Sequence, residues 1–423
     1  MGIERQQILT KIQSVSGKTS NNRYLKAISN GLISILPVII IGAFATLLAN
    51  MNIGGYQDFI ESIGLKTMFM IPANVTTGML ALYTVFFIAY RLASYFEKDG
   101  VGAGLIALIC FLVLTPLSQL DDANVIPVEY LGAKGLFVAI IVGLTVSRLY
   151  VLIIDSKFLI RLPDSVPPTI GKSFNNLVPG IVITIIFTIV NVLFQLTTYE
   201  NVHEFIYSIL QAPLLNLGGG YWSLVVMILV IHLLWFIGVH GMLVVLPIYY
   251  SIWMPLGLEN LDAIAAGETP TNIVHTGFYT TFISLGGAGA TLGLCILMAF
   301  FAKSKRYKSL GKISLPASIF SINEPITFGT PIILNPYMFI PFIFAPLIIG
   351  TISYFTMLSG IIPIANGTHL PIGTPIILGP IVQGGLILII WQFICIGMSV
   401  LIYYPFFRAL DRKALTEEIS SES

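Results

Sequence analysis

Charge is scarce in this chain. Of its 423 residues only 10% are Asp, Glu, Lys or Arg, against about 25% in ordinary soluble domains. A water-facing surface cannot be built at that density, which excludes a typical globular enzyme. Cysteine is scarcer still. Cys110, Cys295 and Cys395 lie in separate apolar runs, which reads as inert buried thiols and excludes a disulfide framework. Histidine and carboxylates do not gather at metal-ligand spacing, so no metal and no other cofactor is expected. The formal net charge of +1 argues against nucleic acid as a partner. A nucleotide loop is also missing. The "GKS" at Gly171–Ser173 would need a glycine five residues earlier, where Val166 stands, and the phosphate loop depends on that glycine. ATP hydrolysis by this chain is therefore excluded as an energy source. No cleavable signal peptide is read either, because the first 26 residues are polar and the first apolar run is already of spanning length.

What the chain has is apolar length. Its mean hydropathy is +0.90. Runs near 28–49, 72–95, 101–118, 135–154, 177–198, 220–237, 241–257, 279–302, 336–358 and 381–404 reach or approach the roughly 20 residues that cross a bilayer. The reading is an all-α polytopic membrane protein with about ten transmembrane helices. Two further apolar stretches, 313–335 and 360–380, are broken by Gly and Pro and read as re-entrant hairpins. The basic, proline-containing loop 155–176 separates the first four spans from the rest.

Lysine and arginine orient the path. If 1–26 lies inside, the inner segments hold five basic residues before Ala27, then Arg91 and Lys98. Four follow at Arg148, Lys157, Arg161 and Lys172, five within 303–312, and three at Arg408, Arg412 and Lys413. That makes 19 of the 21 basic residues, and only Lys66 and Lys134 fall outside. The asymmetry puts both termini in the cytoplasm.

The richest stretch is "SINEPITFGTPIILNP", 321–336. Its "GTPIILNP" at 329–336 returns as "GTPIILGP" at 373–380, with seven of eight residues matching. Irregular backbone at membrane depth survives only inside protein or along a wet cavity, and paired interrupted segments point to a transporter's binding site. Pro325 and Pro331 disfavour a regular helix there. Glu324 is then a carboxylate at membrane depth, which marks a functional group, and Asn323 adds an amide that both donates and accepts. Together they suit a hydroxyl-rich ligand. A second polar cluster lies in "HLLWFIGVHGMLVVLP", 232–247. There His240 is flanked by Gly238 and Gly241, and Trp235 precedes it by five residues. Aromatic faces pack on the apolar faces of sugar rings. Trp235 and Trp391 fit that role and also fit an interfacial belt. His232 reads as structural, and His275 with Asn272 fits a binding and a structural role equally.

These residues carry a resemblance. "INEPITFGTPIILNP" at 322–336 is similar to the signature of the membrane permease (IIC) component of the sugar phosphotransferase system, lactose/cellobiose/diacetylchitobiose family. "WFIGVHG" at 235–241, "NNRYLKAISNGLISILPVIIIGAF" at 21–44 and "AYRLASYFEKDGVGAGLIALICFLV" at 89–113 resemble that family's other stretches. The resemblance implies a homodimer in the bacterial cell membrane. It assigns 27–200 to scaffold and dimerisation helices, 201–407 to a sugar-binding transport domain, and 1–26 and 408–423 to cytoplasmic ends. It places the family's sugar-binding glutamate on Glu324, its histidine on His240 and the preceding tryptophan on Trp235. The second hairpin departs from the pattern: where many members carry Pro-Trp-Thr-Thr-Pro, this chain has "PIGTP" at 371–375, keeping Thr374 and losing the tryptophan. The implied activity is group translocation of a β-linked disaccharide of the cellobiose, diacetylchitobiose or lactose class. The phosphoryl group comes from a cysteine on a separate IIB protein that is itself charged by IIA, so the chain would be the transport component of that phosphotransferase. Glu324 would bind the sugar and orient or deprotonate the accepting hydroxyl. Two rivals have different mechanisms: a proton-coupled secondary sugar transporter with Glu324 and His240 as relay, and a sensor that binds sugar without moving it. Uptake that survives a protonophore but needs phosphoenolpyruvate separates the first rival, and vesicle uptake the second.

The basic asymmetry yields a direct test. A membrane-impermeant thiol reagent added to intact cells should label a cysteine placed at position 134 and spare one at position 306; labelling at 306 from outside would overturn the orientation.

Overall fold

The computed structural model describes residues 22–50, 55–120, 123–156, 168–330, 332–370 and 373–422. Pro331, the loop 157–167, Pro371, Ile372 and the N-terminal basic residues Arg5, Lys11 and Lys18 lie outside the described residues. The described chain is mostly helical and divides into two compact units. One comprises Lys18–Asn216 with Tyr250–Leu258, and the other Leu217–Tyr249 with Glu259–Ser423. Among the described residues, seven helices are long and apolar enough to cross a membrane. They number nine if the bent pairs Val202–Gly218 with Tyr221–Phe236 (73°) and Thr276–Ala290 with Leu292–Phe301 (61°) each count as one. The apolar helix Gly100–Leu114 has 15 residues, short of the usual spanning length.

The first unit is built on close helix packing. Its helices include α1 (Arg23–Ser34), α2 (Leu80–Tyr95), α3 (Gly100–Leu114), α4 (Leu136–Ile154) and α5 (Pro168–Gln195), with a short hairpin of β1 (Ser118–Leu120) and β2 (Ala123–Val125) after α3. α2 packs against α1, α3 and α4. Lipid offers no hydrophobic drive for helix association, so small residues at contacts matter most. The buried Ile88 of α2 shows why. A Cβ on Gly31 would stand 2.6 Å from its Cγ1, and one on Gly143 would stand 3.0 Å from its Cγ2. At one end of the unit Asp99 caps α3 through the Val101 amide and accepts from Asn176 Nδ2, while Asn176 Oδ1 accepts from Tyr150. At the far end Glu204 accepts from both Lys134 and Tyr130. Along α5 Ile181, Ile185, Ile189 and Leu193 are exposed, an apolar ridge that suits lipid or another apolar surface.

The second unit holds α6 (Tyr221–Phe236), α7 (Gly241–Ile248), α8 (Lys305–Ile319), α9 (Glu324–Gly329), α10 (Pro336–Leu358) and α11 (Leu386–Glu422). α6 packs on α10, and the buried His232 donates through Nδ1 to the Ile228 carbonyl at 2.7 Å, the structural role read from its place in the sequence. Between Thr276 and Phe301 the helix breaks where Gly286, Gly287 and Gly289 take positive φ. A break releases backbone carbonyls that an apolar medium cannot satisfy. Here side chains meet them. Ala288 O accepts from Asn323 Nδ2 at 2.7 Å, Gly289 O from Tyr403 at 2.8 Å, Ala290 O from Ser399 at 2.6 Å, and Gly286 O from Thr291 at 2.9 Å.

Overpacking a filled contact costs about 1–3 kcal/mol. Gly31→Leu should therefore lower the unfolding midpoint of the purified protein in detergent, and Gly55→Leu, whose open surroundings hold no atom within 4 Å of a Cβ, is not the control because of its positive φ of 76°; Gly397→Ala, equally open, should leave the midpoint near the parent's. An unchanged midpoint for Gly31→Leu would contradict the packing.

Candidate sugar site

The segment around Glu324 is irregular for reasons visible in its backbone. α8 ends at Ile319, and Ser321 turns the chain at φ 56°. α9 then starts at Glu324 with Pro325 in its first turn, where a missing N–H costs nothing. The return limb turns again at Leu334, φ 56°, and the Leu334 amide donates to Phe236 O at 3.0 Å. That bond ties the limb to the end of α6. Past this end Gly238 takes φ 86°, which a side chain resists, and the chain reaches His240.

His240 caps α7: its Nδ1 accepts from the Leu243 amide at 3.3 Å. An accepting Nδ1 carries no proton, so Nε2–H is left as a donor. The rings of Trp235 and His240 lie 4.3 Å apart at 47°. Trp235 is buried, yet its indole Nε1 has no hydrogen-bond partner among the described residues. A buried donor left unmade costs about 1–3 kcal/mol, which a ligand or water acceptor recovers. Glu324 is exposed at the start of α9. Trp235 and His240 thus stand together, and Glu324 lies on the segment whose return limb is bonded to the end of α6; a carboxylate acceptor, N–H donors and an aromatic face are the group types that suit the hydroxyls and ring face of a sugar.

A cavity of about 50 Å³ opens in the same unit, lined by Thr280, Thr281, Ser284, Ser321, Thr374 and Gln392 among others. Glu324, His240 and Trp235 do not line it, but Ser321 precedes Glu324 by three residues. The second repeat copy supplies part of its wall, and the Ile376 amide of that copy donates to Ile319 O, at the end of α8, at 3.0 Å. It has room for a few waters rather than a disaccharide. Thr280 and Thr281 belong to a single π-helical turn, Tyr279–Ile283, a distortion frequent at functional sites. A buried polar layer holds the second broken segment. Gln383 Nε2 donates to Thr281 Oγ1 (2.9 Å) and Thr368 O (3.1 Å), Asn366 Nδ2 donates to Val382 O (2.7 Å), and Gln392 Nε2 donates to Thr281 O (2.9 Å).

The remaining residues singled out from sequence have structural occupations. Asn323 is buried and donates its amide to Ala288 O. Trp391 donates its indole N–H to Ser353 Oγ at 3.0 Å, joining α11 to α10. His275 is buried and caps Thr276–Phe278 by accepting from the Phe278 amide at 3.1 Å. Thr374 alone of the second repeat's polar residues reaches the cavity. Sequence reasoning missed Thr280, Thr281, Ser284, Ser321 and Gln392. Their signal was present: three hydroxyls within five residues, 280–284, of an apolar stretch, and glutamines inside spans, where polar groups are costly.

Comparison with known proteins defines the class. Residues 29–346 match the family model described as "Phosphotransferase system, EIIC", and the chain belongs to that family, as the motifs implied. The proton-coupled alternative is not favoured. The lichenan permease IIC component of Bacillus subtilis (strain 168) is 35% identical over 423 residues, covering 96% of this chain and 94% of that protein. The cellobiose-specific EIIC component of Geobacillus stearothermophilus is 35% identical over 426 residues, with the same coverages of 96% and 94%. The crystal structure of the transporter ChbC, the IIC component from the N,N'-diacetylchitobiose-specific phosphotransferase system, superposes with a TM-score of 0.90 at 34% identity, covering 96% of this chain and 98% of ChbC.

Asn323 and Glu324 are neighbours with opposite expected behaviour. Asn323→Ala orphans the Ala288 carbonyl and should lower stability by about 1–3 kcal/mol. Glu324→Ala removes no hydrogen bond among the described residues and should leave the melting midpoint in detergent nearly unchanged. Equal midpoints for the two variants would refute the division of roles.

Proposed function

We propose that this EIIC protein binds a β-linked disaccharide of the cellobiose, diacetylchitobiose or lactose class outside and presents it inside to a separate phosphorylated IIB protein. The observation that carries this is the exposed carboxylate of Glu324, without a hydrogen-bond partner among the described residues, on a broken segment whose return limb is bonded to the end of α6, next to the paired Trp235 and His240. Ten spans complete the path when Gly100–Leu114 joins the nine longer ones, with the two broken segments 313–335 and 360–380 as hairpins and both termini cytoplasmic; the basic asymmetry supports this orientation. The helices of 27–200 form scaffold and dimer interface, for which the exposed ridge of α5 is suited, and 201–407 transports. The substrates in the relatives' names, lichenan and cellobiose among them, support the β-linked class.

Glu324 accepts from sugar hydroxyls, and His240 and Trp235 donate to them. Asn323, Thr374, Trp391 and His275 shape the site from the structural positions described above. The small cavity along the second repeat enlarges when the hairpins part to admit substrate. In the transfer step the sugar hydroxyl oxygen attacks phosphorus, the new O–P bond forms as the S–P bond to the IIB cysteine breaks, and the sulfur departs as thiolate. The hydroxyl proton goes to a base, and Glu324 is the carboxylate placed to take it. Nothing in this scheme draws on a cofactor held by the chain.

A hydrogen bond to an ionised group contributes about 1.5–3 kcal/mol, and about 1.4 kcal/mol is a decade in affinity. Glu324→Gln should therefore weaken cellobiose or diacetylchitobiose binding roughly tenfold or more by calorimetry, and His240→Ala should weaken it as well. The outer-loop Glu268→Gln is the control. Parent-like sugar affinity in a folded Glu324→Gln protein would overturn the assignment, and so would sugar phosphorylation by the chain without phospho-IIB.

A further inference from the structure

A second concavity lies at the base of the first broken segment. It is a groove of about 430 Å³ whose walls include Arg306 at the start of α8, Leu334 and Tyr337 on the return limb, and Leu410, Lys413 and Glu417 on α11. Arg306 and Lys413 are exposed and form no ion pair among the described residues. Leu334 and Tyr337 are also exposed, at 41% and 51%. The groove therefore has an apolar floor and a basic rim, with Glu417 as the carboxylate in its lining.

Two of its walls are clamped. Asp411 on α11 is buried and accepts from the amides of Lys303 (3.1 and 3.0 Å) and Ser304 (3.0 Å). One turn or two further on, Glu418 accepts from the Ser304 hydroxyl at 2.6 Å and from the amides of Lys305 and Arg306 at 3.0 Å. The free N–H groups at the start of α8 are thus taken by the protein's own carboxylates. What remains for a ligand is side-chain charge, carried by Arg306 and Lys413 against a background of eight basic residues in 303–312 and 408–413. The third wall is different in kind. It is the limb of the same broken segment that carries Glu324, ten residues from Leu334 along the chain.

We propose that this groove is the docking surface for phosphorylated IIB, with Arg306 and Lys413 facing the negative charge around its phosphocysteine and Leu334 and Tyr337 meeting its apolar surround. This rests on the group-translocation reading above and adds the place of contact. A phosphoryl group carries close to two negative charges at neutral pH, and clustered basic side chains are its usual complement. Docking there presses on the limb leading to Glu324, so the donor protein and the sugar carboxylate share one backbone segment.

The test uses the full chain in liposomes with phosphoenolpyruvate, the general phosphotransferase proteins, IIA, and a IIB protein chosen because it supports phosphorylation by the parent chain. The initial rate is followed against phospho-IIB concentration, and sugar affinity is measured separately without IIB. The double variant Arg306→Glu/Lys413→Glu should raise the KM for phospho-IIB tenfold or more while sugar Kd stays within twofold of the parent. Arg306→Gln/Lys413→Gln should act in the same direction, by about threefold, and serves if the reversal does not fold. Lys66→Gln is the control. With a mild added oxidant such as copper phenanthroline to accept the two electrons, a Lys413→Cys chain should form a disulfide with the cysteine of unphosphorylated IIB, the native Cys110, Cys295 and Cys395 being buried. A parent-like KM in the folded neutral variant overturns the proposal. So does a change seen only in dependence on anionic lipid, which would make the groove a headgroup site. Absence of phosphorylation by the parent with every IIB tried would instead sink the group-translocation reading itself.

Discussion

Every irregular feature of the second unit answers to one requirement: a polar backbone group in an apolar medium must have a partner. Helix gives that partner automatically, and a break forfeits it. The break at 286–290 is stable because four of its five carbonyls find the side chains of Thr291, Asn323, Tyr403 and Ser399. These donors come from the break itself and from two other parts of the chain, α11 among them. The polar residues of α11 are thus the counterpart of glycines more than a hundred positions earlier. The same requirement explains why Asn323 is buried while its neighbour Glu324 is not. One residue closes the backbone inventory, and the other is left over for chemistry.

The division also explains what chemistry the site can perform. Glu324 offers acceptors only, and His240 and Trp235 offer donors. A hydroxyl both gives and receives, so it fits between them without leaving a charge unmatched. A neutral amide or an alkyl chain would leave some of these groups unmet. Glycine governs access here through conformation rather than size: at φ 86°, Gly238 allows α6 to end and α7 to begin within four residues.

Much of this was legible in the sequence. The sparse charge and long apolar runs announced the medium. The repeat and its prolines announced the two broken segments, and Glu324, His240 and Trp235 stood out because polar groups at membrane depth are costly. The structure pairs the rings of Trp235 and His240. Less was legible where a polar residue has two possible employers. Asn323, His275 and Trp391 look like ligand groups in one dimension, and only the fold reveals that their donors or acceptors are spent on Ala288, Phe278 and Ser353. Conversely, the hydroxyls of Thr280, Thr281 and Ser284 look ordinary until a π turn aims them at the cavity. Periodicity gave the spans but not the bends of 73° and 61°, because a helix that breaks at glycine and resumes keeps its hydropathy.

The hydrogen bond from Ile376 N to Ile319 O has an evolutionary corollary. It joins the second repeat to the end of α8 through main-chain atoms, so the side chains at both positions can change without removing that bond. A joint of this kind is inherited through backbone geometry rather than through residue identity. Insertions and deletions are another matter, since a shift of one residue in either arm removes the register on which that joint depends.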